Sequence, residues 1–329
     1  MSFLFLDLIS DASDTEKAAA ERLAPLLPEE MASKVRDFAL PLKQAEVSDA
    51  LDAAAFRALA DAAAAGEALC LQASSAPWAD GWLRRAPNQG VDTLLSNRAL
   101  SHAVALRLQV DIFEGDARCP LCHMPMDRLG RHAMSCKAGG DTVQRHNAVR
   151  NLVFKAAVRG GLRPVLEAPG LLGPPGSERP ADELLHAPPS LAQGSARLFE
   201  RVALDFAVVS PFTVARASEA SNRVQLHAAS TYAGAKRAKN STEARCQAAG
   251  LGFEPIVFET VGGVEKGGQR ILESLIKEIW KRTQCTYVEE LQRLVSSISL
   301  VLMRAWDKAV EKRSPAAGQY AAGDLEPWM

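Results

Sequence analysis

Apolar residues recur at helical spacing through "TEKAAAERLAPLL", "PEEMASKVRDFAL" and "VSDALDAAAFRALADAAAAGEALCLQ". That spacing predicts three helices between about 14 and 72, divided near Pro25–Pro28 and Pro41. A further helix is expected in "NRALSHAVALRLQVDIF", ending before Glu114–Gly115. A stronger amphipathic one follows in "DTVQRHNAVRNLVFKAAVRGG", capped by Asp141 or Thr142 and stopped by Gly160–Gly161. The pattern then changes to short β-rich runs: "LRPVLEAPGLL", "RPADELL" and "LFERVALDFAVVSPF", the last stopped at Ser210–Pro211. "GPPGSE" and "HAPPSLAQGSAR" read as loops. Residues 218 to 249 predict one long helix, "LGFEPIVFETVGG" a buried strand, and 266–282 and 286–312 two last helices. From 141 to 260 the order is therefore helix, three strands, helix, strand, an α/β (α+β) core of about four strands.

The expected organisation is a helical N-terminal region (1–115), a small cysteine- and histidine-rich segment (116–138), the αβββαβ core (139–265), C-terminal helices (266–313) and a disordered tail (314–329). A length of 329 residues suits more than one domain. No run of about 18 uncharged apolar residues is present, so no membrane span is expected. "MSFLFLDLIS" is interrupted by Asp7 and lacks a basic start, so a signal peptide is not expected. Six cysteines in a chain this long, two of them in a CxxC, suit a reducing intracellular compartment.

Charge sharpens this picture. The net charge is −1, which argues against a protein that coats nucleic acid over its whole surface. Residues 1 to 67, however, carry thirteen acidic against six basic side chains, and residues 118 to 163 nine basic against two acidic. The basic block is the footprint of a phosphate-binding face, with Arg131, Arg145, His146 and Arg150 as the nucleic-acid contacts. A solvated basic helix face is the plainer reading of the same charges.

Cys119, Cys122, His132 and Cys136 form C-x2-C-x9-H-x3-C. A CxxC knuckle presents two thiolates to one ion, and H-x3-C puts two donors one helical turn apart. The set predicts tetrahedral zinc in a closed, structural site with no open position for substrate. His123 adjoins Cys122 and is not expected to be a ligand.

The catalyst must then lie elsewhere. Asp205 sits in the middle of the apolar strand "VALDFAVV" and Asp182 on the short strand "RPAD". A carboxylate inside such a strand is costly unless it has a partner. If the two strands pair, both acids can share one magnesium ion. Lys236 can supply a cation near the reacting phosphate, with Lys239 its competitor on the same helix face, and Glu167 can add a third carboxylate. Each also has a plain structural reading: a core Asp, a solvated lysine, a strand-end Glu. His146 can be a base, a phosphate contact or a cap. Tyr232 is expected to pack, and Glu259 to face the loop end of its strand.

The succession of a CCHC finger, "RHN", "RPAD", "LDFAVVSP", "AKRAK" and "GFEPIVFETVGG" resembles the C-terminal region of LINE-type non-LTR retrotransposons that encode a restriction-like endonuclease. The resemblance spans roughly residues 78 to 280. It implies the PD-(D/E)xK nuclease fold and magnesium-dependent hydrolysis of a DNA phosphodiester, RNA being the other nucleic acid to consider. It implies Asp182 and Asp205 as metal-binding acids, Lys236 as the lysine moved onto a helix, and nuclear residence where composition alone says only intracellular. The chain departs from the pattern with Pro180-Ala181-Asp182 for Pro-Asp, Ala207 where a strand lysine would stand, and Asn240 in place of an aromatic. It contains no aromatic-x-Asp-Asp polymerase motif. The alternative is a catalytically inactive, zinc-stapled nucleic-acid-binding remnant of a retroelement polyprotein, and a third class is a protein-interaction role for the acidic N-terminal helices.

Overall fold

A computed structural model describes residues 14–36, 44–84, 94–172, 180–186, 200–213 and 223–315. The loops expected around 173–179 and 187–198 lie outside the described residues, as does the tail from 316. The chain divides into two compact units between Ala64 and Ala65. The expected helical region 1–115 therefore does not form one body, because residues 65–115 belong to the second unit.

The first unit holds α1 (Asp14–Leu23), α2 (Glu29–Arg36) and α3 (Gln44–Ala62). Pro25 lies in a 3-10 turn after α1, where a missing N–H breaks no helical ladder. Ala20, Ala24, Leu27, Ala32 and Val35 form a small core with Leu23, Met31, Val47 and Leu51 packed on it. In α2 the acids Glu29 and Glu30 sit in the first turn and Lys34 and Arg36 in the last, the order the helix dipole favours. The third predicted helix is broken at Ala63–Ala64, so its end is a separate helix.

That helix, α4 (Ala65–Ser74), opens the second unit and is followed by α5 (Asn97–Leu108). Ser96 caps α5 by accepting the Ala99 N–H at 3.1 Å. Gln109, left-handed at φ 57°, ends it earlier than the apolar pattern suggests. The cysteine segment forms the ribbon β1 (Ala117–Arg118) and β2 (Pro125–Met126), then a 3-10 turn over Arg131–Met134. α6 (Asp141–Arg159) follows, and its N-cap is Gly140, without a side-chain cap. Asp141, expected to cap, is instead held by Lys312 Nζ (2.6 Å) and Arg313 Nη1 (2.8 Å).

The main sheet has the order β3 (Val165–Leu166), β4 (Glu183–His186), β5 (Arg201–Val209), β6 (Gly252–Glu259). The first three strands are antiparallel neighbours, and β5 and β6 are parallel. A parallel pair needs a long crossover. α7 (His227–Ala238) and α8 (Thr242–Ala248) supply it. The single long helix expected there does not form. Asn240 is left-handed, φ 51° and ψ 27°, and turns the chain between the two. "LRPVLEAPGLL" contributes only two strand residues.

Alternation along β5 sorts its side chains between two layers. Val202, Leu204 and Phe206 pack with Val149, Val153 and Ala156 of α6. The same core takes in α9 (Lys266–Arg282) and α10 (Tyr287–Arg313). Ala207 and Val209 face Ala228, Ala229 and Ala233 of α7. The second unit is thus an α/β body with helices on both faces of the sheet. α10 starts on a capping box of Thr286 and Glu289 and reaches the cysteine ribbon at its far end. There Trp306 is buried and donates its Nε1–H to Gly130 O at 3.2 Å. Among the described residues, no helix is long and apolar enough to cross a membrane.

Candidate functional site

The β4–β5 register pairs Glu183 with Leu204. The ladder ends there, and beyond it the side chains of Asp182 and Asp205 lie within hydrogen-bonding reach of each other. The β3–β4 register pairs Leu166 with Glu183, which sets Glu167 beside Asp182. The Glu167 N–H bonds to Asp182 O at 2.9 Å in that register, whereas the Asp182 N–H bonds to Leu204 O at 3.0 Å, one residue out of the β4–β5 register. Three carboxylates therefore form one row across three strands. Asp205 lies on the α7 side of β5, and Lys236 of α7 meets it, Nζ to Oδ2 2.6 Å. The same ammonium stands 5.8 Å from the Tyr232 ring centre.

His146 of α6 reaches the row from the sheet's end, its Nε2 3.1 Å from Asp182 Oδ2. That oxygen also accepts the Phe206 N–H at 2.7 Å. Arg150, one turn on from His146, puts Nη1 3.2 Å from Glu167 Oε1. A cleft of about 520 Å³ opens over Asp182, Asp205, Glu167 and Lys236, with Lys239 and Arg245 on its walls. Glu167 is left-handed at φ 50°, an uncommon setting for a non-glycine residue and one found at sites where the surroundings fix the backbone.

The two acids sit in different electrostatic states. Burial pushes Asp182 up, but the His146 bond, the Phe206 N–H and the Lys236 charge outweigh it and hold its carboxyl below the usual range. Burial and the adjacent Asp182 carboxylate raise Asp205 even against Lys236. The Asp182 contact raises His146 in turn. The two partly buried carboxylates thus lie within hydrogen-bonding reach and ionise unequally.

The second constellation is the cysteine ribbon. One donor atom each from Cys119, Cys122, His132 and Cys136 lies within 4.8 Å of the others. Cys122 Sγ is 3.2 Å from His132 Nε2. Zinc bonds of about 2.3 Å to sulfur and 2.0–2.1 Å to nitrogen require an S···N edge of roughly 3.6 Å, so a small outward shift seats the ion. The knuckle closes where His123, left-handed at φ 60°, donates its N–H to Cys119 O at 2.8 Å. Cys136 N–H bonds to His132 O at 3.0 Å, the α-turn that the H-x3-C spacing predicts. Asp127 accepts the N–H groups of Arg131 and His132 and fixes the turn that carries the imidazole. Burial raises Cys122 to about 11, whereas contacts with Arg313 and the Ala138 N–H more than offset burial at Cys136. This donor set can hold a metal such as zinc.

The four expected nucleic-acid contacts are all engaged within the protein. Arg131 stacks on Phe212, 5.1 Å to the ring centre, and bonds Gln109. Arg145 is 3% exposed and donates to Met134 O at 2.8 Å. Its position, four before Val149 and eight before Val153, puts it on the buried stripe of α6. His146 and Arg150 turn to the carboxylate row. Sequence reasoning missed Arg245 and Thr242, which line the cleft only because the chain breaks at Asn240. It also missed Glu183, 1% exposed with neither carboxylate oxygen bonded and raised to about 8 by burial. Glu259 does not face the loop end freely: it is buried, accepts the Ala229 N–H at 3.4 Å and caps α7. The signal for both was an acid inside an apolar strand.

No family model matches the chain, and no curated protein or solved structure matches it.

Proposed function

We propose that the chain is a metal-dependent DNA endonuclease of the retrotransposon type, with a restriction-endonuclease-like core and a structural zinc knuckle. The observation that carries this reading is the placement of the Asp182 carboxylate beside that of Asp205, with Lys236 on the second acid. An acid pair with a lysine on the same face is the equipment needed to hydrolyse a phosphodiester. Glu167 in the same row and the topology from α6 to β6 support it.

In this reading Asp182 and Asp205 would hold magnesium, which supplies a water of lowered pKa and stabilises charge on the phosphate. Lys236 orients the attacking water or neutralises the phosphate oxygen it faces. His146 fixes Asp182 and Arg150 fixes Glu167. Cys119, Cys122, His132 and Cys136 would hold zinc as a closed staple, leaving no position for substrate.

The test is nicking of supercoiled plasmid in magnesium by the wild type, Asp182→Ala and Asp205→Ala. Nicking by the wild type and loss in both variants, with DNA binding retained in EDTA, is the expected result. A wild type that binds but nicks neither DNA nor RNA with magnesium or manganese sinks the reading and leaves the inactive zinc-stapled binding module in its place.

A further inference from the structure

A second depression lies along α7 beside the acid cleft. It encloses about 1020 Å³ between the cysteine segment, the start of α6, the end of β5 and α7. Its polar wall carries Lys137, Thr142, Arg145, Ser210, His227 and Thr231. Among the described residues that line it there is no carboxylate. In a chain with 39 acidic residues, whose neighbouring cleft is built on three of them, that composition is selective for anions.

Arg145 gives the groove a buried charge. It is 3% exposed, and its Nε–H has no hydrogen-bond partner. Asp141, the carboxylate that acts on it, is already bound by Lys312 and Arg313. A buried guanidinium whose counter-ion is shared with two other cations leaves positive charge in the groove wall, and that charge favours an arriving anion. The hydroxyls of Thr142, Ser210 and Thr231 add donors. Between them, Val143, Val208 and Ala235 form apolar wall, suited to sugar and base faces rather than to a bare ion.

Tyr232 borders both depressions. On α7, Thr231 and Ala235 face the groove and Lys236 the cleft, so one helix forms a continuous side wall.

We propose that this groove seats the phosphodiester backbone of the nucleic-acid strand flanking the phosphate held in the acid cleft, and guides it toward the cysteine knuckle. The proposal rests on the nuclease reading for its direction but not for its chemistry. Phosphate contacts of this kind set register and affinity.

Fluorescein-labelled single-stranded and duplex oligonucleotides, titrated in EDTA with the full chain, Lys137→Glu and Thr231→Glu, test it. Thermal unfolding of each variant checks the fold. Each charge placed in the groove is expected to weaken binding about tenfold, and Lys137→Glu to lower the salt slope by about one. Wild-type binding that both folded variants retain overturns the proposal, whether or not plasmid is nicked. So does a wild type that binds no oligonucleotide. Inorganic phosphate that displaces oligonucleotide as well, phosphate for phosphate, would reduce the groove to a simple anion site and also overturn it. Groove-dependent binding without nicking by the wild type leaves the groove standing and removes the nuclease reading instead.

Discussion

His146 Nε2 and Asp182 Oδ2 lie 3.1 Å apart, and the same oxygen accepts the Phe206 N–H at 2.7 Å. Two donors on one oxygen orient the carboxylate. His146 is thus a positioning residue. His146→Gln keeps a donor at that place, and His146→Ala removes it. The alanine variant is expected to need about 10–100-fold more magnesium for half-maximal nicking, as for other outer-shell partners. The glutamine variant should recover most of that, with DNA binding in EDTA equal in all three. Equal magnesium requirement in the alanine variant would show that Asp182 holds its orientation unaided.

Lys236 and Lys239 both border the cleft, but only Lys236 is bonded to a row carboxylate, Asp205, at 2.6 Å. Lys239 is exposed at the turn where α7 ends, and its carbonyl takes the Thr242 hydroxyl at 2.6 Å. Lys236→Met is expected to slow nicking by about 10²-fold or more. Lys239→Met should change it only a few-fold. The reverse order, measured as initial nicking rates at saturating DNA, would move the catalytic cation to Lys239.

Arg313 closes the joint between α10 and the cysteine segment. It is fully buried and donates to Asp141 (2.8 Å) and to the carbonyls of Ala138 (2.6 Å) and Ala309 (2.8 Å). Arg313→Met leaves Asp141 buried with Lys312 alone. Chemical denaturation is expected to show a loss of about 3–5 kcal/mol. The purified wild type should carry about one zinc per chain, and Cys122→Ser much less. An Arg313→Met chain as stable as the wild type would show that the knuckle is held mainly by Trp306 and its apolar contacts.

Glu259 ties stability to pH. Burial raises its carboxyl from 4.5 to about 7 against the pull of the Ala228 and Ala229 N–H groups. Between those values the unfolded chain is ionised and the folded carboxyl is still protonated. Folding then takes up a proton, so the Glu259 contribution falls as pH rises from about 4.5 to about 7 and is flat above. Glu259→Gln keeps an acceptor for α7 and has no such slope. Its stability relative to the wild type is expected to grow across that window by at most roughly 3 kcal/mol. Urea unfolding at pH 5 and pH 8 measures it; parallel changes in both proteins would place the ionised carboxylate comfortably on the helix end.

The chain's local rules were legible without coordinates. Helical spacing placed α9 and α10, and a β-rich run closed by Ser210–Pro211 placed β5. C-x2-C and H-x3-C are short enough that backbone turns alone bring their donors together. Distance in sequence defeated the rest. Asp182 and Asp205 are 23 residues apart in the sequence, and only the pairing of their strands brings the two carboxylates together. A shift of one residue would have sent Asp205 to the other face of the sheet. His146 joins them because α6 crosses that end of the sheet, and Arg145 is buried because its helix turns that stripe inward. Arg245 reaches the cleft through two left-handed residues, Asn240 and Ser241, whose conformation no apolar period encodes. The sequence by itself determined most of the longer elements, the cysteine knuckle and the residues worth watching, since those follow from contacts within a few turns. Which acids meet, which cation faces them and which arginine is hidden were decided by tertiary packing, where strand register and helix rotation act on residues far apart in the chain.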